Sequence, residues 1–188
     1  VVRPGSTEET ARVVSLLARE RKAMVPRGAG LSYTAGVVPH APATVIDSAR
    51  LDAIEINADD LYAVVGAGCT WEKLAEALKP RGLRAVQISP ISGSHSTVGG
   101  AASQNIPGGM DGIIGLTVVL PDGGVARTGS GARNGASPFQ RYSGPDLTGL
   151  FLGDCGAFGI KTEVVLRLAA ERLATFASFA FADADDLV

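Results

Sequence analysis

The chain carries the stretch Pro26-Arg27-Gly28-Ala29-Gly30-Leu31-Ser32 directly after a short apolar run, and this is the first of two glycine-rich loops that decide its fold. The second loop reads Ser92-Gly93-Ser94-His95-Ser96-Thr97-Val98-Gly99-Gly100. Glycine allows positive φ and a close approach of the backbone to a ligand, and successive exposed N–H groups can surround an anion. Two such loops suit an extended ligand with two phosphates, so a dinucleotide is the obvious candidate.

Each loop also has a simpler explanation when it is considered alone. The first matches the dinucleotide fingerprint G-x-G-x-x-G only at Gly28 and Gly30, and no helix pattern follows, so it could be a generic turn. The second could begin a helix that packs tightly on a sheet, or one that aims its first N–H groups at a flat ring. A third run, Gly153 to Ile160, could be a turn or backbone beside a planar ligand. Because these loops occur together, a ligand-binding role is favoured over a purely structural one.

Composition excludes several classes of protein. Of the 188 residues, 46% are hydrophobic and 19% are charged, which predicts a substantial core, and the net charge of −2 provides no basic surface for nucleic acid or an anionic membrane. No apolar run is long enough to span a bilayer. We therefore predict a cytoplasmic protein with no nucleic-acid partner and no integral membrane segment.

Few side chains are available for metal binding or hydrolysis. The only cysteines are Cys69 and Cys155, and the only histidines are His40 and His95. This set excludes a disulfide scaffold and a histidine-rich or zinc site, and it poorly supports a Ser-His-Asp hydrolase. His95 lies within the second loop, where it either contacts the ligand or has a structural role.

The first third of the sequence predicts one helix and several buried strands. Ser6 and Glu9 form a capping-box pattern at the start of an amphipathic helix. Residues 23–26, 44–46 and 61–65 are apolar runs typical of strands, and they have the potential to pair in parallel.

The remainder of the chain is richer in patterns typical of antiparallel strands. Thr70 and Asp146 are predicted to cap helices, and the turn Pro121–Gly124 predicts a hairpin between its flanking strands. Residues 159–168 alternate like a half-buried strand. The sequence therefore predicts an α+β fold of two α/β lobes, a small parallel-strand lobe and an antiparallel-sheet lobe, with the ligand in the crevice between them.

Four segments carry a family resemblance and occur in the right order along nearly the whole chain. They are Val25 to Ser32, Ser89 to Asn105, Gly115 to Gly123 and Asp146 to Leu168. Together they resemble the FAD-binding domain of the vanillyl-alcohol oxidase/p-cresol methylhydroxylase (PCMH-type) flavoprotein family, in the branch of glycolate oxidase and D-lactate dehydrogenase.

The resemblance implies a domain organisation. Residues 1–170 would form the FAD-binding domain, with lobe one at about 1–68 and lobe two at about 69–170. Residues 171–188, with a strand-like run from Phe176 and an acidic helix start at Asp183, would begin a cap domain that covers the substrate.

The resemblance also implies that FAD lies extended between the lobes, held mostly by backbone N–H groups. The pyrophosphate would be held by Arg27, Gly28, Ala29, Gly30, Leu31 and Ser32. The ribityl chain and the isoalloxazine would run along Pro90, Gly93, Ser94, His95, Ser96, Thr97, Gly99, Gly100 and Asn105. Gly159 and Ile160 would lie at the adenine side or the crevice wall.

Two departures from the family pattern affect these expectations. Members with covalent flavin often carry a histidine in the first loop, where this chain has Leu31-Ser32-Tyr33, so we expect non-covalent FAD. Many relatives read Gly-Ser-Glu-Gly-Thr-Leu-Gly-Ile where residues 153–160 read Gly-Asp-Cys-Gly-Ala-Phe-Gly-Ile. Cys155 therefore replaces a glutamate within an intact glycine frame.

As function, the resemblance implies an FAD-dependent oxidase or dehydrogenase in which a hydroxy acid or another alcohol transfers hydride to flavin N5. The partners would be a small-molecule substrate and an electron acceptor such as a quinone or a protein, and no catalytic residue and no metal ligand is identified. The alternative is a non-catalytic subunit that carries FAD for electron transfer in a larger complex.

Overall fold

A computed structural model of the chain describes residues 1–33, 35–86, 93–105, 111–142, 144–172, 175 and 177–181. Its helices are α1 (Thr7–Arg19), α2 (Trp71–Leu78), α3 (Val98–Gln104) and α4 (Leu147–Leu150). Its strands are β1 (Met24–Arg27), β2 (Thr44–Asp47), β3 (Ile54–Asn57), β4 (Tyr62–Gly66), β5 (Leu83–Ala85), β6 (Ile113–Val119), β7 (Val125–Arg127) and β8 (Ile160–Ala170).

The predicted helix caps are found in the structure. The Ser6 hydroxyl accepts a hydrogen bond from the N–H of Glu9, so Ser6 is the N-cap of α1 as predicted. The Glu9 carboxylate reaches back to the N–H of Gly5, one residue earlier than the capping-box pattern places it. Thr70 and Asp146 cap α2 and α4 in the same way.

The structure contains two sheets, one for each predicted lobe. β1 and β2 pair in parallel, with Met24 opposite Thr44 and Arg27 opposite Asp47. Among the described residues, the larger sheet has six antiparallel strands in the order β3-β4-β8-β6-β7, and β5 pairs with β8 outside this path. β6 and β7 are the predicted hairpin. The predicted combination of a small parallel sheet and a larger antiparallel sheet is therefore confirmed.

β4 does not pair as the sequence suggested, and β3 was not predicted. β4 precedes residue 68, and we expected it beside the parallel strands of the first lobe. Instead β4 pairs antiparallel with β8, which places Ala63 opposite Leu166 and Val65 opposite Val164, and β3 pairs with β4. The reason is tertiary, because the fully buried Ala63 and Val65 meet apolar partners about a hundred residues later in the chain.

β8 is also more buried than its sequence pattern suggested. We expected a half-buried strand, but β8 lies between β4 and β6, and consecutive residues such as Val164, Val165 and Leu166 are all buried. A central strand that is covered on both faces does not need the alternation of a strand with one solvent-facing side.

Two apolar clusters hold the layers together. The larger one packs α2 and α3 on the six-stranded sheet, with Leu74 and Leu166 among its fully buried members. The smaller one joins α1 and the parallel sheet to the larger sheet and consists of Val14, Ile46, Val119 and Ile160. Burial of one such side chain contributes about 1.5–3 kcal/mol. The smaller cluster therefore keeps the ends of β1 and β2 beside the start of β8, where the glycine loops meet.

The described residues beyond 170 form no further helix or strand after the end of β8. Phe179 and Phe181 are exposed, so the strand predicted from Phe176 is not found in positions 177–181. Phe176 itself and the helix start predicted at Asp183 lie outside the described residues. In the parts of the chain that the structure describes, no helix combines the length and the apolar character needed to cross a membrane.

Candidate functional site

A cavity of about 360 Å³ lies where the three glycine-rich segments converge. The predicted site residues that line it are Arg27, Gly28, Ala29, Gly30, Leu31, Ser32, Ser96, Thr97, Gly99, Gly100, Gly159 and Ile160. Its size is in the range of small-molecule sites, which are usually preformed clefts with a few convergent polar groups. The structure thus brings the first loop, most of the second loop and the start of β8 to one place.

The first loop presents its backbone to the cavity. In the described ranges, no hydrogen bond uses the backbone N–H groups of Gly28, Ala29, Gly30 or Leu31 as donors. The Arg27 guanidinium, which has no ion pair among the described residues, lies against Gly30, where an added Cβ would be 2.9 Å from Nε. Successive free N–H groups beside a cation are suited to an anion such as a phosphate.

The glycines of the three segments are contact points between the loops. A Cβ on Gly28 would overlap the Oγ1 atom of Thr97 and would lie 3.7 Å from the Cα of Gly100. Gly156 has a φ of +80°, and a Cβ there would overlap the ring of Pro26. The missing side chains therefore allow the first loop to pack directly on the second and third segments.

The second loop does not direct its helix N–H groups at the cavity, as one interpretation of the sequence expected. The N–H groups of Val98 and Gly99 donate to the carbonyl oxygens of Cys69 and Ala67, and that of Gly100 donates to Thr97 Oγ1. These first donors of α3 are satisfied within the protein, so they are not available to an anion or a flat ring. The loop instead offers a close-packed surface of small residues.

The third segment is organised by a buried ion pair that sequence inspection missed. The Asp154 carboxylate accepts hydrogen bonds from the N–H groups of Gly156 and Phe158, and the Lys161 ammonium lies 2.5 Å from it. Both side chains are almost completely buried, at 0% exposed for Asp154 and 2% for Lys161. The N–H groups of Gly153 and Cys155 donate to carbonyl oxygens of α3, which fixes the segment on that helix.

Four predicted site residues do not line the cavity. Gly93 and Ser94 lie at the start of the second loop, and Ser94 accepts a hydrogen bond from the N–H of Glu72 in α2. The His95 imidazole is 77% exposed and lies 3.3 Å from the Glu72 carboxylate. Asn105 is the left-handed C-cap of α3 and packs beside Gly153. Another predicted site residue, Pro90, lies outside the described residues.

The cavity is also lined by residues that we had not selected. They include Tyr33, Ala67, Ser103, Gln104, Cys155 and Lys161. The Sγ atom of the exposed Cys155 lies 4.0 Å from Gln104 Nε2. Lys161 follows Ile160 directly, but a lysine inside an apolar strand pattern gives no signal of its own until its partner is known.

The charge of the cavity lining fits a ligand that carries negative charge. Among the described residues, no Asp or Glu lines the cavity, and Arg27 and Lys161 are its cationic side chains. Residues 1–129 match the family described as FAD binding domain.

The chain belongs to this family of FAD-binding domains. FAD is accordingly its cofactor, which confirms the cofactor expected from the glycine loops and from the resemblance.

The FAD-binding domain has similar sequences among named oxidases and dehydrogenases. It is 32% identical over 178 residues to glycolate oxidase subunit GlcD of Bacillus subtilis (strain 168), a match that covers 89% of this chain and 36% of that protein. It is 30% identical over 178 residues to the mitochondrial D-lactate dehydrogenase (cytochrome) of Arabidopsis thaliana, covering 89% of this chain and 30% of that protein. The chain thus spans about a third of the length of these relatives.

Solved structures confirm the fold of the domain. A 4-ethylphenol oxidase from Gulosibacter chungangensis superimposes with a TM-score of 0.76 at 28% identity, over 90% of this chain and 34% of that chain. p-Cresol methylhydroxylase also gives a TM-score of 0.76, at 24% identity, over 90% of this chain and 35% of that chain, and this likeness concerns the fold alone. The family resemblance given by the four sequence segments is therefore confirmed.

Proposed function

We propose that the chain is the cofactor-binding part of an oxidoreductase in which a hydroxy acid or another alcohol is oxidised. The observation that carries this proposal is the run of free N–H groups from Gly28 to Leu31, beside the Arg27 guanidinium and at the mouth of a cavity lined by small residues. Two similar proteins, named glycolate oxidase subunit and D-lactate dehydrogenase, support the substrate class.

The residues of the chain would act by binding and orienting the cofactor. The free N–H groups of residues 28–31 and the Arg27 side chain would hold the pyrophosphate, and the small residues Gly99 and Gly100 would allow the extended part of FAD to lie close to α3. When bound, FAD would accept two electrons from the substrate carbon. We assign no catalytic base to this chain, and we propose that a cap domain beginning near residue 171 covers the substrate.

We further propose that FAD is held without a covalent bond. The cavity wall contains Leu31, Ser32 and Tyr33 at the positions where covalent members often carry histidine. Cys69 and Cys155 are both free thiols, which supports a reducing location such as the cytoplasm. A quinone or a protein as the electron acceptor belongs to the same proposal.

A visible absorption spectrum of the purified protein, repeated on the supernatant after acid precipitation, tests the binding part of the proposal. We expect flavin bands that move to the supernatant. Bands that remain with the pellet would contradict non-covalent binding, and no bands after addition of FAD would contradict the site itself.

The reaction is tested separately with the FAD-loaded protein that includes the proposed cap domain. Under anaerobic conditions, glycolate and D-lactate should bleach the oxidised flavin absorption, with an unreactive carboxylate such as acetate as the control. FAD that binds tightly but is reduced by neither hydroxy acid, and only by a partner protein, would favour the alternative of an electron-transfer subunit.

A further inference from the structure

The wall of the FAD cavity contains a buried cation that the family pattern does not assign. We propose that the Lys161 ammonium is a second cationic contact to the FAD pyrophosphate, together with Arg27. This inference rests on the proposed location of FAD in the cavity and adds a residue whose contribution can be measured independently.

The first argument is that Asp154 does not occupy all the donors of Lys161. An ammonium has three N–H donors. One is directed at Asp154 Oδ1, and among the described residues no second acceptor for Lys161 is found. Lys161 is 98% buried and is among the residues that line the adjoining cavity, so a ligand group in that cavity is within reach of its remaining donors.

The second argument concerns the role of Asp154. Its carboxylate already has two backbone partners, the N–H groups of Gly156 and Phe158, and the segment is further fixed to α3 by the N–H groups of Gly153 and Cys155. The turn is therefore held by several hydrogen bonds besides the ion pair.

The third argument is the charge of the cavity. Within the described part of the lining, the charged side chains are Arg27 and Lys161, and neither Asp nor Glu is present. FAD carries its negative charge on the pyrophosphate, while its flavin, ribityl and adenosine parts are uncharged near neutral pH. An ammonium held in place by a buried carboxylate is a preorganised partner for that charge, because its desolvation accompanies folding rather than binding.

Burial lowers the pKa of Lys161, and the hydrogen bond and charge of Asp154 oppose this effect. An anion that arrives next to the ammonium acts in the same direction as Asp154 and favours the protonated form. The local electrostatics and the geometry therefore agree on an anionic ligand group.

The test compares four variants with the unaltered protein: Lys161→Met, Lys161→Arg, Asp154→Ser and the double variant Asp154→Ser with Lys161→Met. Lys161→Met alone leaves a buried carboxylate without its cation and can fail to fold. The double variant removes both charges, and Asp154→Ser introduces the residue that many relatives have at this position. Asp154→Ser in turn leaves a buried ammonium without its counter-ion, so the double variant is compared with the unaltered protein and with Lys161→Arg, after thermal unfolding has shown that all three are folded.

Binding of FAD, ADP and riboflavin to the apo-protein is measured by fluorescence and calorimetric titration at several salt concentrations. We expect the double variant to bind FAD and ADP about tenfold or more weakly than the unaltered protein, with a smaller salt dependence and unchanged riboflavin binding. Lys161→Arg should retain most of the affinity for FAD.

Three results distinguish the possible failures. Equal FAD affinity of the unaltered protein and the double variant would show that Lys161 is only the counter-ion of Asp154 and would overturn the inference. A loss of affinity that is equal for riboflavin and ADP would overturn the assignment to the pyrophosphate. If the unaltered protein itself does not bind FAD, the proposed function fails instead.

Discussion

The contact between the first and second loops gives the most specific prediction, which is the effect of Gly28→Ala. No positive φ prevents alanine at this position, so the outcome depends on the neighbouring atoms. The new Cβ would overlap Thr97 Oγ1, whereas the next nearest atoms are Thr97 Cβ at 3.5 Å and Gly100 Cα at 3.7 Å, which are ordinary contact distances. The hydroxyl of Thr97 is therefore the single obstacle.

The magnitude follows from what that hydroxyl does. Thr97 Oγ1 caps α3 by accepting a hydrogen bond of 3.2 Å from the N–H of Gly100. Its displacement removes an N-cap worth about 1 kcal/mol, and the residual overpacking adds about 1–3 kcal/mol. Gly28→Ala should therefore destabilise the protein by about 2–4 kcal/mol, which corresponds to a decrease in Tm of about 5–15 °C for a chain of this size. FAD affinity should fall as well, because both loops line the cavity.

A double-mutant cycle with Thr97→Ala provides the control. Thr97→Ala alone should cost about 1 kcal/mol for the lost cap, and in its background Gly28→Ala should cost less than about 1 kcal/mol because the obstacle is gone. Urea unfolding of the four proteins measures the coupling. If the two substitutions add to within about 0.5 kcal/mol, the loops do not touch at this point and the reasoning is refuted.

Two further predictions concern titration and thiol reactivity. Burial alone would raise the pKa of Asp47, but hydrogen bonds from Arg3 and the Ala49 N–H hold this pKa below its ordinary value. A carboxylate whose pKa is lowered in the folded state stabilises the protein at pH values above its ordinary pKa, and this stabilisation is lost as the pH falls. Asp47→Asn should therefore lower the free energy of unfolding by about 1 kcal/mol near pH 7 and by less near pH 3. An equal difference at both pH values would count against this prediction. The exposed Cys155 should react with a disulfide reagent in the native protein, whereas Cys69, whose pKa burial raises to about 11, should react only after unfolding. Saturating FAD should slow the labelling of Cys155, and an unchanged rate would contradict its place at the cofactor cavity.

Features that depend on neighbouring residues could be predicted from the sequence. Ser6, Thr70 and Asp146 were identified as helix caps because the acceptor and the donor are three residues apart in the chain. The β6–β7 hairpin was identified from its turn for the same reason. The first loop lies at the cavity, where its glycines, together with those of the second loop, had suggested a ligand.

Features that depend on distant partners were missed or wrongly interpreted. The carbonyl groups of Ala67 and Cys69 satisfy the first N–H groups of α3, and nothing near α3 in the sequence announces them. His95 is exposed beside Glu72 of α2, and the residues around His95 in the sequence do not indicate this contact. Asp154 and Lys161 are seven residues apart, which matches no local hydrogen-bonding pattern, so their pairing emerges only from the fold.

The position of β8 has a consequence for how FAD is exchanged. The first residues of β8 form one wall of the cavity; Ile160 and Lys161 pair with β6, and the strand is paired with both β4 and β6 from Glu163 to Leu166. Amide groups of a strand paired on both sides exchange with solvent only when most of the domain unfolds, so we expect this wall to be the more rigid one. The opposite wall is the partly exposed segment from Gly28 to Tyr33, whose first N–H groups have no protein partner among the described residues. We therefore expect entry and release of FAD to depend on local motion of this segment. The barrier to that motion should be much lower than the barrier to global unfolding.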